Sequence, residues 1–310
     1  MSLLEPKNQK NLFGLEKHIL EFTRLYELNI YPNKILLSGP KGIGKSTLAY
    51  HFINYVLSKN QEHAYDLKNF KINEENTTFK TILNKSNTNL FNIDINFDKK
   101  MIDINQIRNL ITNLNKSAFN DKPRFVLIDN IELLNISSIN ALLKILEEPN
   151  QNIFFILINN NKKILPTLLS RCINYKINLS HSDCINITTQ LLEEKLEKII
   201  NSDLINYYYT PGNIINLIKF AQQYDYDLSV IDLKGFLKIL IQNNHYKKDL
   251  FIKYFIFNLV EFYLRKISLS YSIKIYEKYS YFIKKISDIK NFNLDEESFF
   301  LEFEEEVLNG

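Results

Sequence analysis

The 310-residue chain has only two cysteines, Cys172 and Cys184, and no tryptophan. Two thiols cannot build a disulfide framework or a four-cysteine zinc site. The five histidines are scattered along the chain and show no spacing typical of metal ligands. We therefore predict no zinc, and the scarcity of cysteine favours a reducing compartment.

Long apolar runs and a large net charge are also missing. No uninterrupted apolar stretch approaches the about 20 residues of a membrane-spanning helix, and the apolar stretch at the N-terminus is too short for a signal peptide. We expect a cytoplasmic protein without a membrane partner. The formal net charge of +3 excludes a strong basic field over the whole chain. Any contact with nucleic acid is thus expected to be local or shared with partners.

Glycine is scarce as well, with seven residues in the whole chain. Three of them, Gly39, Gly42 and Gly44, lie within a segment that matches the pattern G-x-x-x-x-G-K-[ST]. The apolar run Ile35–Leu37 precedes this segment, and a helical pattern follows it. A strand, a glycine-rich loop and a helix in this order form a phosphate-binding loop, so the sequence predicts a nucleotide site.

Each position of this loop has a predicted role. Backbone N–H groups and the N-terminus of the following helix can surround β- and γ-phosphate oxygens. Lys45 is expected on these phosphates, and the Ser46 hydroxyl is expected to hold Mg²⁺. We predict that ATP or ADP, with Mg²⁺, is bound by Gly39, Pro40, Lys41, Gly42, Ile43, Gly44, Lys45, Ser46 and Thr47.

A second strand ends in a carboxylate at Asp129, which is predicted to face Mg²⁺ across the site. The next residue, where an ATPase of this type places a carboxylate, is Asn130. An amide can position a water molecule but cannot accept its proton, and losing a general base costs about 10²–10⁴ in rate. The sequence predicts nucleotide binding with slow or absent hydrolysis. Glu132 is too far along the chain to be the obvious substitute, although a turn could bring it back.

The order of patterns predicts an α/β fold with a parallel sheet, followed by helices. Between residues 12 and 177, short β-branched runs alternate with helical patterns. A polar stretch at residues 60–90 is predicted to be a surface insertion or loop. Asp103 is predicted to cap one helix, and Pro149 to end another that starts near Ser138. The predicted strands are Ile35–Ser38, Phe91–Ile95, Phe125–Ile128, Ile153–Ile158 and Asn174–Ile177.

The motifs together resemble a known family. The run Asn140–Pro149 is followed by Ser170-Arg171-Cys172, and Leu12-Phe13-Gly14 lies upstream of the phosphate loop. In this order they resemble the AAA+ subunits of the bacterial DNA polymerase III clamp loader. The chain looks most like the delta-prime subunit for three reasons: the amide at position 130, the absence of zinc-module cysteines at 60–100, and Pro211-Gly212-Asn213 in place of a sensor-2 arginine.

The resemblance implies three domains: a RecA-like nucleotide-binding domain at residues 1–177, a small helical lid at 178–226 and a helical collar at 227–310. It also implies that Arg171 acts in trans, as an arginine finger on a neighbour's ATP. By register the sensor-1 position falls on Ile158 or Asn159, and Asn159 is the candidate because its amide can form hydrogen bonds. The implied partners are the other subunits of a five-membered ring, the sliding clamp and, indirectly, primed DNA.

Two other functions stay open at this point. One is an active clamp-loader ATPase of the gamma or tau kind, which needs a carboxylate near Asp129 to replace the missing base. The other is an unrelated phosphate-loop enzyme, such as a small-molecule kinase. A kinase lid is rich in arginine, whereas Arg265 is the only arginine beyond position 171. In none of these cases is the chain itself expected to polymerise DNA.

Overall fold

A computed structural model describes residues 5–95, 101–147, 152–206, 208–268, 273–292 and 294–309. The chain divides into two compact units. The first comprises Met1–Gln190 together with Thr210–Gly212, and the second comprises Leu191–Tyr209 and Asn213–Gly310. The expected division into three domains remains a prediction.

Five parallel strands form one sheet in the described part of the first unit, in the order β2-β3-β4-β1-β5. Each predicted strand is present, and its ends differ from the prediction by at most two residues. The predicted fold class, a parallel α/β sheet followed by helices, is confirmed. The strands are β1 (Lys34–Ser38), β2 (Leu90–Ile93), β3 (Arg124–Ile128), β4 (Ile153–Asn159) and β5 (Ile173–Lys176).

The register brings the carboxyl ends of three central strands to one edge of the sheet. Ser38 in β1 lies opposite Asn159 in β4, and Ile128 in β3 lies opposite Leu157 in β4. The segments that follow these strands therefore leave the sheet side by side. Ligands of open parallel sheets bind at this edge, so the register positions the candidate site.

Helices cover both faces of the sheet. Side chains alternate along a strand, so Ile35 and Leu37 join one apolar cluster while Leu36 joins the other. The first cluster packs α1 and α2 against the sheet, and the second packs α4 and α5. The helices of this part of the chain are α1 (Glu16–Glu27), α2 (Lys45–Ser58), α3 (Thr77–Leu83), α4 (Ile104–Leu114), α5 (Ile136–Glu147), α6 (Pro166–Leu169) and α7 (His181–Leu192).

Strand β5 differs from the central strands because it lies at an edge of the sheet that the structure describes and pairs with β1. Its residues are exposed or half-buried, whereas those of β3 are almost all buried. Two predicted helix signals have different outcomes. Asp103 caps α4 in a full capping box with Gln106, as predicted. The predicted helix stop at Pro149 lies outside the described residues.

Residues 60–90 were predicted to be a surface insertion or loop, and the exposed-loop part of this prediction is wrong. This stretch contains α3 and a small buried cluster made by Tyr65, Ile72 and Phe79. Asn76 caps α3 and is itself fully buried. Its amide donates to the His63 carbonyl at 2.7 Å and pairs with Asn54, so its polar atoms keep hydrogen-bond partners in the interior. The polar composition was misleading because a buried asparagine with satisfied hydrogen bonds costs little.

His51 on α2 links this stretch to the N-terminal segment. Its Nδ1 lies 2.9 Å from the Tyr65 hydroxyl, and its Nε2 lies 3.2 Å from the Gln9 carbonyl oxygen. Burial lowers the pKa of His51 to about 4, and the hydrogen bond to Gln9 opposes this shift. An unfolded histidine has a pKa near 6.5, so between pH 6.5 and 4 the unfolded chain takes up a proton that the native state refuses. Stability is therefore lost as the pH falls through this window.

We expect the wild type to lose about 2 kcal/mol more unfolding free energy than His51→Gln between pH 7 and pH 5. The glutamine side chain does not titrate, so position 51 no longer contributes to the pH dependence of the unfolding free energy. Urea unfolding at the two pH values measures the difference. His181→Gln serves as the control because His181 is exposed, and it should behave like the wild type. Equal losses of unfolding free energy in the wild type and His51→Gln would contradict the lowered pKa of His51.

The second unit is helical in its described residues. Buried Phe236 on α10, Val260 on α12, and Phe300 and Phe303 on α14 contribute to its core. None of the helices in the described residues is long and apolar enough to cross a bilayer. The helices that follow α7 are α8 (Ser202–Ile205), α9 (Pro211–Gln223), α10 (Leu233–Gln242), α11 (His245–Lys248), α12 (Leu250–Ser268), α13 (Ile273–Phe292) and α14 (Glu296–Phe303).

Candidate functional site

The glycine-rich segment forms a tight loop between β1 and α2. Gly42 and Gly44 have φ angles of 87° and 94°, in the left-handed region that side chains disfavour. A Cβ atom at Gly39 would lie 2.3 Å from the Ile177 carbonyl oxygen. All three glycines of the motif are therefore required by the backbone geometry of the loop.

Lys45 opens α2 and lies inside the loop with 3% of its surface exposed. Its Nζ donates to the carbonyl oxygens of Gly39 at 2.8 Å and Pro40 at 2.7 Å, and to Asn160 Oδ1 at 3.0 Å. Burial lowers the pKa of Lys45 to about 8, against the nearby carboxylates of Asp129 and Glu132, which raise it. Phosphate oxygens are stronger acceptors for an ammonium than these neutral groups, so the site favours an anion here.

Ser46 and Asp129, which are 83 residues apart, meet at the sheet edge. The Ser46 hydroxyl donates to Asp129 Oδ2, and the backbone N–H of Asn130 donates to Asp129 Oδ1 at 2.8 Å. Burial raises the pKa of Asp129, while these two hydrogen bonds oppose the shift. A hydroxyl next to a carboxylate is the kind of oxygen pair that Mg²⁺ accepts. The two predicted Mg²⁺ ligands are thus brought together.

Asn130 is held in place by both ends of its amide. Its Nδ2 donates to Asp94 Oδ1 at 2.7 Å, and its Oδ1 accepts from Asn160 Nδ2 at 2.9 Å. Its φ angle of 55° is one that asparagine adopts more readily than glutamate. A glutamate here would also place a second carboxylate beside Asp94. The local structure therefore suits an amide at the position where a carboxylate is expected in an active ATPase.

A 3₁₀ turn at Ile131–Leu133 brings Glu132 back to the site, which is the alternative that the sequence left open. Its Oε1 accepts from Asn160 Nδ2 at 2.9 Å, and its Oε2 accepts from Asn160 N–H at 3.4 Å. Asn160 in turn contacts Lys45. A carboxylate is therefore present near the loop, although not at position 130.

The structure separates two neighbouring asparagines at the end of β4. Asn159 bonds within its own turn, where Nδ2 donates to the Lys162 carbonyl at 2.9 Å and Oδ1 accepts from Lys162 N–H at 3.2 Å. Asn160 is the residue whose side chain contacts Lys45, Asn130 and Glu132. Sequence reasoning missed Asn160 because the strand ends at Asn159 and the turn then decides which side chain faces the loop. The assignment of sensor 1 to Asn159 remains a prediction.

Arg171 follows α6 and is not part of the phosphate loop's own network. Its Nη2 lies 2.7 Å from Glu147 Oε1, and its Nη1 donates to the Thr167 carbonyl oxygen at 2.8 Å. In the described part of the chain it makes no hydrogen bond to residues 39–47. Arg171 is thus a basic partner of the helix end at Glu147 within the same chain. Glu148 and Pro149 lie outside the described residues.

A short segment from much later in the chain also reaches the loop. The Thr210 hydroxyl donates to the Lys41 carbonyl oxygen at 2.8 Å, and the Gly212 N–H donates to the Gly42 carbonyl oxygen at 2.9 Å. Residues 210–212 belong to the first unit, although the chain on either side of them belongs to the second. The sequence marked this segment only for its lack of an arginine and missed its contact with the loop.

Comparison with known proteins agrees with these motifs. Residues 14–181, more than half of the chain, match the family described as DNA polymerase III, delta subunit. The chain belongs to this family. The clamp-loader family expected from the motifs is therefore confirmed, with a delta-prime-like relationship supported by the relatives.

Three relatives show which subunit types the chain is similar to. The delta' subunit of Buchnera aphidicola subsp. Baizongia pistaciae is 34% identical over 171 residues, which is 49% of this chain and 48% of the relative. A gamma subunit of Buchnera aphidicola subsp. Schizaphis graminum is 28% identical over 70% of this chain and 59% of its own length. The tau subunit of Bacillus subtilis is 31% identical over 56% of this chain and 28% of its own.

The chain therefore spans about half the length of the first relatives that it matches. Among solved structures, a DNA polymerase III gamma subunit-related protein from Thermotoga maritima is 16% identical, with a TM-score of 0.48. The match covers 91% of this chain and 96% of that one. Relatives named delta' and relatives named gamma or tau both occur, so the choice between these subunit types depends on the site.

Proposed function

We propose that this chain is a delta-prime-like subunit of the DNA polymerase III clamp loader. It binds ATP or ADP with Mg²⁺, hydrolyses ATP slowly or not at all, and offers Arg171 to the nucleotide of a neighbouring subunit. The observation that carries this proposal is the amide at position 130, which occupies the place of the general base beside an otherwise intact phosphate site.

Binding depends on groups that already surround one space. Lys45 exchanges its carbonyl partners for β- and γ-phosphate oxygens, whose negative charge stabilises the ammonium that burial disfavours. Ser46 and Asp129 are the residues that would hold Mg²⁺. The ion, when bound, neutralises charge on the phosphates. Loop N–H groups and the N-terminus of α2 complete the cradle.

Hydrolysis requires a group that takes a proton from the attacking water. The Asn130 amide cannot do this, and its two ends are already bonded to Asp94 and Asn160. The expected loss relative to an enzyme with a base at this position is about 10²–10⁴ in rate. The nucleotide is then held rather than turned over.

One observation favours a second candidate function, an ATPase motor of the gamma or tau kind. The Glu132 carboxylate lies in the site and could serve as a displaced base. Both of its oxygens, however, accept hydrogen bonds from Asn160 at 2.9 and 3.4 Å. We therefore propose that Glu132 fixes Asn160 and does not activate water.

The substitution Glu132→Gln is expected to change any slow ATP hydrolysis by no more than about twofold. Glutamine keeps the size of the side chain and can still accept the bond from Asn160, but it cannot accept a proton. Steady-state release of phosphate from the purified chain measures the effect. A fall of about 10² or more would make Glu132 the base and favour the motor.

Arg171 supports a role at a neighbouring subunit. Its guanidinium is anchored by the Thr167 carbonyl and the Glu147 carboxylate on the surface of the first unit. The side chains of this ion pair are 32% and 53% exposed, so the pair adds little to stability. A surface arginine that makes no hydrogen bond to its own phosphate loop in the described residues can exchange its weak pair with Glu147 for a phosphate on another subunit.

The partners proposed are the other clamp-loader subunits and, through the assembly, the sliding clamp and primed DNA. Direct contact with DNA by this chain should be weak and confined to the backbone, in keeping with the net charge of +3.

Co-purification with the other clamp-loader subunits of the same organism tests the assignment. We expect this chain to elute within their complex, and elution as a separate species at micromolar concentration would contradict the proposal.

A further inference from the structure

We propose that Thr210 and Gly212 are positioning residues that aim two amides of the phosphate loop at the nucleotide. This inference rests on the proposed nucleotide binding. It gives a role to residues 210–212, which lie outside the phosphate-loop motif. The two donors reach successive carbonyl oxygens of the loop, those of Lys41 at 2.8 Å and of Gly42 at 2.9 Å.

The geometry of the peptide bond turns these contacts into an orientation. In a trans peptide the C=O and N–H groups point in opposite directions within one plane. The carbonyl of Lys41 shares its plane with the N–H of Gly42, and the carbonyl of Gly42 shares its plane with the N–H of Ile43. Because residues 210–212 hold the two carbonyls on one side, the two N–H groups face the other side. These N–H groups belong to the set predicted to bind phosphate.

The loop needs such anchors because its own sequence does not fix these planes. Gly42 has a φ angle of 87° and no side chain, so the peptides on either side of it can rotate at little cost. A rotated plane would present a carbonyl oxygen to the phosphate and would repel it. Two hydrogen bonds from outside the loop hold the productive orientation before the nucleotide arrives.

The identities of residues 210–212 suit their close contact with the phosphate loop. Thr210 is 2% exposed, so its hydroxyl is held in place by packing. Pro211 has no N–H, so the donors to the loop are the Thr210 side chain and the Gly212 backbone. A Cβ atom at Gly212 would lie 2.7 Å from Gly42 Cα and 3.1 Å from Gly42 O. The close approach is possible only because both positions are glycine.

The test compares Thr210→Val with Thr210→Ser. Valine keeps the branched shape but removes the hydroxyl, whereas serine keeps the hydroxyl. We expect Thr210→Val to weaken MgADP binding about tenfold and Thr210→Ser to stay within about threefold of wild type. Binding is measured by calorimetry on the full chain, and thermal unfolding without nucleotide is measured in parallel. A residue that only stabilises the fold would shift the unfolding temperature and leave the affinity of the folded protein unchanged.

Gly212→Ala provides a second variant, since its methyl group must displace Gly42. We expect its MgADP affinity to fall more than about tenfold while the folded fraction at 20 °C stays high. Wild-type affinity in Thr210→Val, or in Gly212→Ala, would overturn the inference and leave the proposed function standing. A wild-type chain that binds no nucleotide would overturn both.

Discussion

Replacing Lys45 with alanine is expected to weaken binding of MgATP and MgADP by about 100-fold or more. Lys45 is 3% exposed and its ammonium is already surrounded by acceptors, so its hydrogen bonds to phosphate form out of contact with bulk water. No other cation contacts these acceptors in the described residues. Removing Lys45 leaves the phosphates with the loop amides and Mg²⁺ alone.

The same loop supplies a matched control. Lys41 is exposed, and its backbone rather than its ammonium is engaged. Lys41→Ala should therefore bind within about threefold of wild type. Calorimetric titration of both variants and the wild type, with thermal unfolding to establish that each is folded, separates the two lysines. Equal affinity in Lys45→Ala and wild type would show that nucleotide, if it binds, binds elsewhere.

Arg171→Ala is expected to slow hydrolysis at the neighbouring subunit's site by about 10³ in the reconstituted clamp loader. In the proposed trans role the guanidinium stabilises charge that develops on the transferred phosphoryl group, and alanine supplies no substitute. The variant chain should still bind its own nucleotide with wild-type affinity, because Arg171 makes no hydrogen bond to residues 39–47 in the described part of the chain. Single-turnover hydrolysis by the loader, assembled with wild-type or variant chain, measures the effect.

Arg24→Ala is the control for this experiment, since Arg24 is an exposed arginine on α1 of the same unit. It should leave loader hydrolysis unchanged. Arg171→Lys should recover only part of the rate, because an ammonium keeps the charge but not the planar fork of donors. Unchanged hydrolysis with Arg171→Ala would remove the trans role, even if the chain assembles normally.

Much of the fold and of the site was predictable because the signals are local. The phosphate loop, the strand before it and the helix after it are adjacent in the chain, and glycine scarcity made the loop stand out. The strand ending at Asp129 and the missing carboxylate at Asn130 are also local features. Parallel pairing then places the ends of these strands at one edge without further information.

What escaped prediction depends on long-range contacts. Asn160 meets Lys45 across 115 residues, and Thr210 meets Lys41 across 169 residues. No spacing rule connects such positions. The place of Glu132 was left open for a different reason, because a single 3₁₀ turn decides whether its side chain returns to the site. The buried asparagine cap within residues 60–90 was also not predictable, because amino-acid composition does not show which polar side chains bond to each other.

At Asn130 the sequence and the structure give complementary information. The sequence predicts a missing general base at this position, and the structure shows why an amide suits it. The left-handed backbone and the bonds to Asp94 and Asn160 favour asparagine over glutamate. These features support the proposal that the site holds nucleotide without turning it over.

A single-turnover experiment on the isolated chain tests this central claim most directly. The chain is mixed in excess with radiolabelled MgATP, and both bound ATP and released phosphate are followed over time. Tight binding with hydrolysis slower than about 0.1 s⁻¹ is the predicted result. Hydrolysis at several per second by the chain alone, or no binding at all, would contradict it.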